Sequence, residues 1–376
     1  MDVAHIETLF RENFTHFGDL GASLSVWRNG REVISLADGW RDRGRTQPWT
    51  ADTPVLVWSA TKGPAAACVL HAMQEHALTP DTRVADVWPE FSAHGKGAIT
   101  IGQALSHRSG VPALERTANV LDHAEVARAI AEQMPLWEPG TAHGYGPRLY
   151  GFLLDELVRR IAGRTLGEYW RTEFAEPLGL DFWIGVPADL VEKVAPIFPP
   201  KTAPPKDRFY TAFVTPGSLT LRAFGSPTGL NAVAEMNAPT GRRASLPGFG
   251  GIGTAAALAK FYAMLAAGGS FDGRTFFKAE TLAWMQRTLV QGDDRVLLTE
   301  TAFSAGFMRD PILPDGKKLR TVFGPSPSAF GHPGAGGSHA FADPEHCIAF
   351  AYVMNQMEPG VLPGPKALRL VEAIYD

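Results

Sequence analysis

The stretch from Val55 to Cys68, VLVWSATKGPAAAC, decides how we expect the rest of the chain to be arranged. A β-favouring apolar run ends in Trp58, and an alanine-rich run that favours helix follows it. Ser59 and Lys62 lie between the two runs, three residues apart. If the helix begins at Ser59, this spacing places the hydroxyl and the amine on one face, about one turn apart. Such a pair can form a nucleophile, although an N-cap serine followed by a solvated lysine has the same pattern.

Composition and charge are those of an ordinary globular protein. Of the 376 residues, 45% are hydrophobic and 20% are charged, and the formal net charge is -4, so no nucleic acid or acidic partner is indicated. Acidic residues occur early and apolar residues alternate with polar ones, so we expect neither a signal peptide nor a membrane span. Cys68 and Cys347 lie far apart in apolar surroundings, which favours buried free thiols over a disulfide. We therefore expect a cytoplasmic protein, and its oligomeric state stays open.

β-favouring runs occur near both ends of the chain. The first two surround Asn29-Gly30, a strong hairpin signal because both residues tolerate positive φ. The runs are 22–27, 32–37, 54–58, 302–308, 338–342 and 348–354. Helical spacing of apolar residues predicts an amphipathic helix over 2–17, and a last helix is expected over about 365–375. Strands from both termini imply one antiparallel sheet, with the terminal helices covering one face.

The middle of the chain is mostly helical in pattern. Helical runs follow one another without convincing strands, at 101–107, 122–134, 148–163, 165–176 and 254–267. Between 197 and 250, a stretch rich in turn formers is too long for a plain connector and predicts a pocket wall or a lid. We therefore expect an α/β part from 1–85 and 290–376, a mostly helical insertion from 86–289, and a cleft at their seam.

Two further groups of residues are candidates for a site. The first is Tyr-Gly-Pro at 145–147, a tyrosine in a tight turn before a helix. The second is His-Pro-Gly at 332–334, in a glycine-rich stretch that leads into a strand. Glycines at this density can let a strand edge approach a ligand closely. Alone, however, a turn tyrosine is usually structural and a glycine-rich strand entry is usually just a bend. Their order after the serine and the lysine makes them informative.

The order Ser-x-x-Lys, tyrosine motif and His-x-Gly strand resembles the serine β-lactamase and penicillin-binding-protein superfamily. Within it, the chain looks most like the class C-like carboxylesterases, which are called family VIII esterases. The resemblance covers nearly the whole chain and includes His-Arg-Ser-Gly at 107–110, Pro-Leu-Gly-Leu at 177–180 and the glycine-rich helix start at 250–257. It implies a β-lactamase-like fold and a serine hydrolase that forms an acyl-enzyme.

The resemblance also implies roles for individual residues. Ser59 would attack the carbonyl, and Lys62 would take part in the proton transfer. Tyr145, held partly as phenolate by Lys62, would act as base in acylation and as acid toward the departing alcohol. The Ser59 and Ala335 amides would form the oxyanion hole. Substrate contacts are expected from His332, Gly334 and Trp58.

Two departures from the β-lactamase pattern bear on the substrate. Pro147 stands where β-lactamases place asparagine, and it has no side-chain amide to hold a β-lactam. His332 stands where they usually place lysine, so a permanent cation for a substrate carboxylate is missing. Both favour small neutral esters of short to medium chain length. An amidase, a weak β-lactamase, an acyltransferase, and a non-catalytic sensor or assembly protein of the same fold stay open as alternatives.

Other chemistries find little support in the sequence. No Gly-x-Ser-x-Gly occurs, which disfavours an α/β-hydrolase, and the 11 histidines include no zinc-binding spacing. His71 and His76 flank Glu75 on a helix that we expect to be exposed, and their spacing matches no zinc motif. The pair at 293–294, Asp-Asp, is expected to form a solvated turn. We therefore expect no metal and no cofactor.

Overall fold

Thirteen β-strands and fifteen α-helices form the protein in a computed structural model that describes all residues from 1 to 376. The strands are β1 Gly21–Arg28, β2 Arg31–Gly39, β3 Val55–Leu56, β4 Phe182–Ile184, β5 Gly251–Gly253, β6 Ser270–Phe271, β7 Arg274–Thr275, β8 Val290–Asp293, β9 Glu300–Phe303, β10 Met308–Arg309, β11 Phe330–Pro333, β12 His339–Asp343 and β13 Ile348–Met354. The helices are α1 Val3–His16, α2 Lys62–Glu75, α3 Val84–Val87, α4 Ile101–Leu105, α5 His123–Glu132, α6 Leu149–Ala162, α7 Leu166–Trp170, α8 Glu176–Leu178, α9 Arg208–Val214, α10 Leu219–Gly225, α11 Val233–Asn237, α12 Pro239–Arg243, α13 Ala255–Ala266, α14 Ala279–Gln286 and α15 Pro365–Ala373. None of the helices combines the length and the hydropathy that a membrane crossing requires.

The main sheet has eight strands in the order β2-β1-β13-β12-β11-β10-β9-β8, and its strand pairs are antiparallel. The N-terminal hairpin therefore lies directly beside the last strand, which confirms the predicted sheet built from both termini. Asn29 and Gly30 turn the hairpin with φ angles of 51° and 74°, the left-handed region that the Asn-Gly pair favours.

Side-chain size distinguishes the two faces of strand β13. Phe350 and Tyr352 belong to the core that also contains α1 and α15, whereas Ala349 and Ala351 belong to the core that contains α13. Alternation along a strand sends neighbouring side chains to opposite faces, and the small alanines let the alanine-rich α13 approach the sheet. Helix α13 lies within the range predicted as the helical insertion, yet it packs on the sheet. The division into two domains stays a prediction.

Helix α2 passes through the interior, and all but its last two residues are buried. It begins at Lys62 rather than at Ser59, because a 3-10 turn, Trp58–Thr61, precedes it. His71 on this helix is buried, with Nδ1 2.7 Å from the hydroxyl of Tyr169, so the expectation of an exposed helix is wrong.

The stretch 197–250 contains four short helices, α9 to α12, instead of a continuous loop. Helices α9 and α10 begin where the side chains of Asp207 and Ser218 accept hydrogen bonds from the amides three residues later. The stretch 86–289 also contains four strands that its pattern did not indicate, the hairpin β6-β7 and the strands β4 and β5. Strands β4 and β5 pair with β3 in a small sheet, β3-β5-β4, that leads into the turn at Ser59. Of the two free cysteines, Cys68 is buried as expected and Cys347 is partly exposed.

Candidate active site

Ser59 occupies the second position of the 3-10 turn between β3 and α2. Trp58 before it has a φ of 49°, a left-handed conformation that bulky residues rarely adopt. The Thr61 hydroxyl stabilises this conformation, because it donates to Trp58 O at 2.5 Å and accepts from the Gly251 amide of β5 at 2.8 Å. Ser59 therefore leaves the strand in a sharp turn that places it on the wall of a cleft.

Lys62 is fully buried and has three oxygen atoms around its amine. Its Nζ donates to Pro147 O at 2.9 Å and to Gly248 O at 2.6 Å, and it lies 3.2 Å from Ser59 Oγ. Burial lowers the pKa of the Lys62 amine well below its ordinary value. The neutral form of this amine is therefore favoured far more than in water.

Tyr145 is buried, and Lys62 Nζ lies 4.7 Å from the centre of its ring. Burial raises the pKa of Tyr145 above its ordinary value, and a hydrogen bond with the Ser59 side chain only partly offsets this. The expected phenolate is therefore disfavoured, because burial opposes charge on both the phenol and the amine, and the amine faces the ring. Ser59, Lys62 and Tyr145, which the sequence predicted to act together, are brought together in the structure.

Three consecutive amides hold the turn that carries Tyr145. The Gly144 amide donates to His107 O at 3.1 Å, and the Gly146 amide donates to His107 Nδ1 at 3.2 Å. Between them, the Tyr145 amide donates to both carboxylate oxygens of Asp294, at 3.1 Å each. Burial lowers the pKa of His107 well below its ordinary value, which keeps Nδ1 free to accept. The turn is thus fixed by two residues that are distant in sequence.

Asp294 is a site residue that sequence reasoning missed. It is buried, whereas its neighbour Asp293 is exposed, so the expected solvated turn at 293–294 is wrong for Asp294. The only signal in the sequence is the apolar run at 296–298, which Arg295 separates from the pair. The first two residues of that run are buried, and their amides donate to the carboxylate of Asp294.

Gly334 and Ala335 follow strand β11 and lie next to the end of β3. A Cβ on Gly334 would lie 2.1 Å from Val57 O, so only glycine allows the two chain segments this approach. The Gly334 amide donates to Ser338 O at 2.6 Å, whereas the Ala335 amide has no acceptor within the protein. Ala335 lines the same cleft as Ser59, which makes its amide available to a ligand there.

His332 lies in the interior beside Tyr145, and the two rings stack with their centres 5.8 Å apart. Its Nδ1 donates to Pro333 O at 2.8 Å, and its Nε2 has no hydrogen-bond partner. Burial, followed by the nearby charge of Lys62, lowers the pKa of His332 to about 3. His332 is therefore neutral and is not part of the cleft lining, and its predicted contact with substrate stays a prediction.

The cleft at Ser59 has a volume of about 260 Å³. Its wall includes six aromatic rings, those of Trp58, Phe209, Tyr210, Phe213, Phe224 and Phe249. Two charged side chains, Arg148 and Glu358, also line it. The guanidinium of Arg148 donates hydrogen bonds to the main-chain oxygens of 227, 229 and 230. A larger groove of about 580 Å³ lies beside α15, and none of the predicted catalytic side chains lines it.

Comparison with known proteins identifies the class. The β-lactamase family model matches residues 10–373. Esterase/beta-lactamase LipL of Mycobacterium tuberculosis is 32% identical over 351 residues, which are 90% of this chain and 77% of LipL. A crystal structure of a penicillin-binding protein homologue from Caulobacter crescentus is 36% identical with a TM-score of 0.88, covering 99% of this chain and 96% of that one. A family VIII carboxylesterase structure gives the same TM-score and coverage at 32% identity.

The chain therefore belongs to the β-lactamase family, as the motif order predicted. Its relatives within that family include proteins named as esterases and proteins named as penicillin-binding homologues. The likeness to LipL and to the carboxylesterase identifies the chain more closely, as an esterase or β-lactamase-like hydrolase.

Proposed function

We propose that the protein is a serine carboxylesterase that hydrolyses short- to medium-chain esters through an acyl-Ser59 intermediate. The partners of the Lys62 amine carry this proposal. A neutral amine has two N–H donors and one lone pair, and the carbonyl oxygens of Pro147 and Gly248 can only accept. Both donors are thereby used, and the lone pair is left for the third neighbour, the Ser59 hydroxyl at 3.2 Å. In the proposed reaction, Lys62 therefore takes the Ser59 proton.

The proposed reaction has two steps. In acylation, Ser59 Oγ attacks the ester carbonyl while its proton passes to Lys62, and the Ser59 and Ala335 amides bind the oxyanion. As the C–O bond to the alcohol breaks, the neutral Tyr145 hydroxyl gives its proton to the alkoxide and regains one from Lys62. Water then attacks the acyl carbon with the help of the same groups, and the carboxylic acid leaves Ser59 free.

Neutral esters suit the cleft better than β-lactams do. Pro147 offers no side-chain amide, and His332 is neutral and lies in the interior, so neither provides the contacts expected for a β-lactam. The positive charge of Arg148 is engaged by main-chain oxygens. The aromatic wall around Trp58 offers apolar contact to an acyl chain.

Hydrolysis of β-lactams is a second candidate, and one observation favours it. LipL, which is 32% identical to this chain, is named for both an esterase and a β-lactamase. A lactam carbonyl would acylate Ser59 by the same route, so the two activities differ only in how the cleft holds the rest of the substrate.

The test compares p-nitrophenyl esters of increasing acyl length with a chromogenic cephalosporin. We expect higher kcat/KM for the esters, loss of both activities in Ser59→Ala, and one covalent adduct on Ser59 when a p-nitrophenyl phosphonate reacts with the wild-type protein. Ester turnover that survives in Ser59→Ala would refute the proposal. Faster cephalosporin turnover would favour the second candidate, and an acyl-enzyme that forms but never turns over would favour a non-catalytic sensor.

A further inference from the structure

The carboxylate of Asp294 accepts hydrogen bonds from two separate parts of the fold. Oδ1 accepts the amides of Val296 and Leu297, both at 2.8 Å, which closes the loop between β8 and β9. Oδ2 accepts the hydroxyl of Thr301 at 3.3 Å. The remaining bonds come from the amide of Tyr145, which lies 149 residues away in sequence and donates to both oxygens. The bonds to Val296, Leu297 and Thr301 are enough to order the loop between β8 and β9. The bonds from the Tyr145 amide are not needed for that loop.

We propose that Asp294 is a positioning residue for Tyr145: its carboxylate fixes the main chain of the tyrosine turn, and this holds the Tyr145 hydroxyl at Ser59. The inference rests on the role proposed above for Tyr145 in proton transfer. The direction of a side chain follows from the dihedral angles of its own residue, so an anchor on the Tyr145 amide constrains where the phenol points. A hydrogen bond to a buried carboxylate is among the stronger anchors that a main-chain amide can have.

The hairpin that carries Asp294 also holds the tyrosine ring. Phe303, on strand β9, stacks on the Tyr145 ring with the ring centres 6.2 Å apart. The amide of Arg295 donates to His143 O at 3.1 Å, which ties the same loop to the chain just before the turn. One structural unit, β8, its loop and β9, therefore fixes both the main chain and the ring of Tyr145.

The charge of Asp294 also affects the pKa of Tyr145. After burial, this charge is a further factor that raises the pKa of Tyr145. Burial also raises the pKa of Asp294 itself, so the inference rests on the hydrogen bonds to the Tyr145 amide and not on this charge. Asp294 is not among the residues that line the cleft, so we expect it to act through Tyr145 and not by contact with substrate.

The experiment is a double-mutant cycle in the full chain, with kcat and KM measured for Asp294→Asn, Tyr145→Phe and the double variant. We expect Asp294→Asn to lower kcat by about 10- to 100-fold with KM unchanged, since small misplacements of catalytic groups cost rates of this order. In the Tyr145→Phe background the same change is expected to have little further effect, because no hydroxyl is left to position. Asp293→Asn makes the same chemical change at the exposed neighbour and is expected to leave both constants unchanged.

A second readout separates positioning from general loosening of the fold. An alkyl ester needs a proton for its alcohol more than a p-nitrophenyl ester does, since p-nitrophenolate leaves without one. Asp294→Asn and Tyr145→Phe are therefore both expected to impair the alkyl ester more than the p-nitrophenyl ester of the same acid. Should Asp294→Asn not fold, Asp294→Ser repeats the cycle, because a serine hydroxyl can accept from the amides of its own loop but is too short to reach Tyr145.

Each outcome has one meaning. An equal loss of kcat from Asp294→Asn with and without the Tyr145 hydroxyl, or a change confined to KM, overturns the inference. If Tyr145→Phe is impaired while Asp294→Asn, or Asp294→Ser in its place, is as active as wild type, the inference fails and the proposed function stands. If Tyr145→Phe itself keeps the wild-type kcat on both esters, the proposed role of Tyr145 fails, and the inference fails with it.

Discussion

The two walls of the cleft at Ser59 are built in different ways. The inner wall, which we define as the Ser59 turn and Ala335 together with the buried residues beside them, Lys62, 144–146 and Gly334, consists of polar groups in fixed hydrogen bonds, many of them with main-chain atoms. The outer wall, which we define as helices α9 and α10, presents aromatic rings that mainly touch one another. In the outer wall, the ring centres of Phe209, Phe213 and Phe224 lie 5.3 to 5.7 Å apart.

Under the proposed function, the inner wall carries out the chemistry and the outer wall selects the substrate. Hydrogen bonds to main-chain atoms fix positions to a fraction of an ångström, which proton transfer requires. Ring contacts are less directional, so the outer wall can change its shape without disturbing the groups around Ser59. We therefore expect substitutions in the inner wall to change kcat and substitutions in the outer wall to change substrate preference.

The largest effect is expected at Lys62 of the inner wall. Lys62→Met and Lys62→Arg should each lower kcat by about 10²- to 10⁴-fold, because methionine has no base and a guanidinium cannot give up its proton in a protein. Steady-state kinetics with p-nitrophenyl butyrate measure the loss, and thermal unfolding identifies any variant that has lost its fold. An arginine variant with a kcat near that of wild type would contradict the proposed base.

Gly334 tests the oxyanion part of the inner wall. Gly334→Ala places a Cβ 2.1 Å from Val57 O, so the chain must shift and carry the Ala335 amide with it. Loss of one oxyanion donor should lower kcat by about 10²- to 10³-fold. Gly225→Ala is the matched control, since a Cβ there meets nothing within 4 Å. Equal activity of the two alanine variants would show that Ala335 is not a donor.

Phe213 tests the outer wall, where we expect a smaller and selective effect. Phe213→Ala removes a ring from the cleft wall and should raise KM about 10-fold for an octanoate ester, while kcat for the acetate ester stays unchanged. Val214→Ala is the control, because its side chain is 72% exposed on the same helix. If Phe213→Ala lowers kcat for all esters alike, the separation between the two walls is wrong.

His123 lies outside both walls and limits the pH range in which Lys62 can be titrated. Burial acts to lower the pKa of His123, but its hydrogen bonds with Asp155 and Glu156 outweigh burial and raise the pKa to about 9. Because an unfolded histidine has a pKa of about 6.5, this stabilisation is complete below about pH 6.5 and is lost as the pH rises through about 9.

The expected result is a melting temperature that falls between about pH 6.5 and about pH 9, measured by scanning calorimetry, and a smaller fall in His123→Ala. Loss of ester hydrolysis at alkaline pH that follows the melting temperature then reflects unfolding. Loss of ester hydrolysis without a change in melting temperature would instead reflect titration of groups in the inner wall. A wild-type melting temperature that is constant over this range would contradict the role of His123.

Local patterns in the sequence were enough to predict the fold and the order of the motifs. The Asn29-Gly30 hairpin forms because two adjacent residues tolerate positive φ, and β13 forms where predicted because alternating residues suit two different faces. The three side chains Ser59, Lys62 and Tyr145 meet as expected. Some predicted helix boundaries were wrong because they depend on contacts with other segments. The helix expected to begin at Ser59 begins at Lys62, after a 3-10 turn in which the Thr61 hydroxyl accepts from the Gly251 amide.

Spacing and motif order were enough to predict which chemical groups lie near one another. Spacing puts Ser59 and Lys62 together, and motif order adds Tyr145. Their charge states and hydrogen-bond partners follow from the folded chain alone, because burial and hydrogen bonding depend on segments far away in sequence. Lys62 bonds a carbonyl 186 residues away, and the phenol proposed from the motif as a phenolate is kept neutral by burial. Asp294, which was expected in a solvated turn, lies beneath the tyrosine because the loop that follows it is buried.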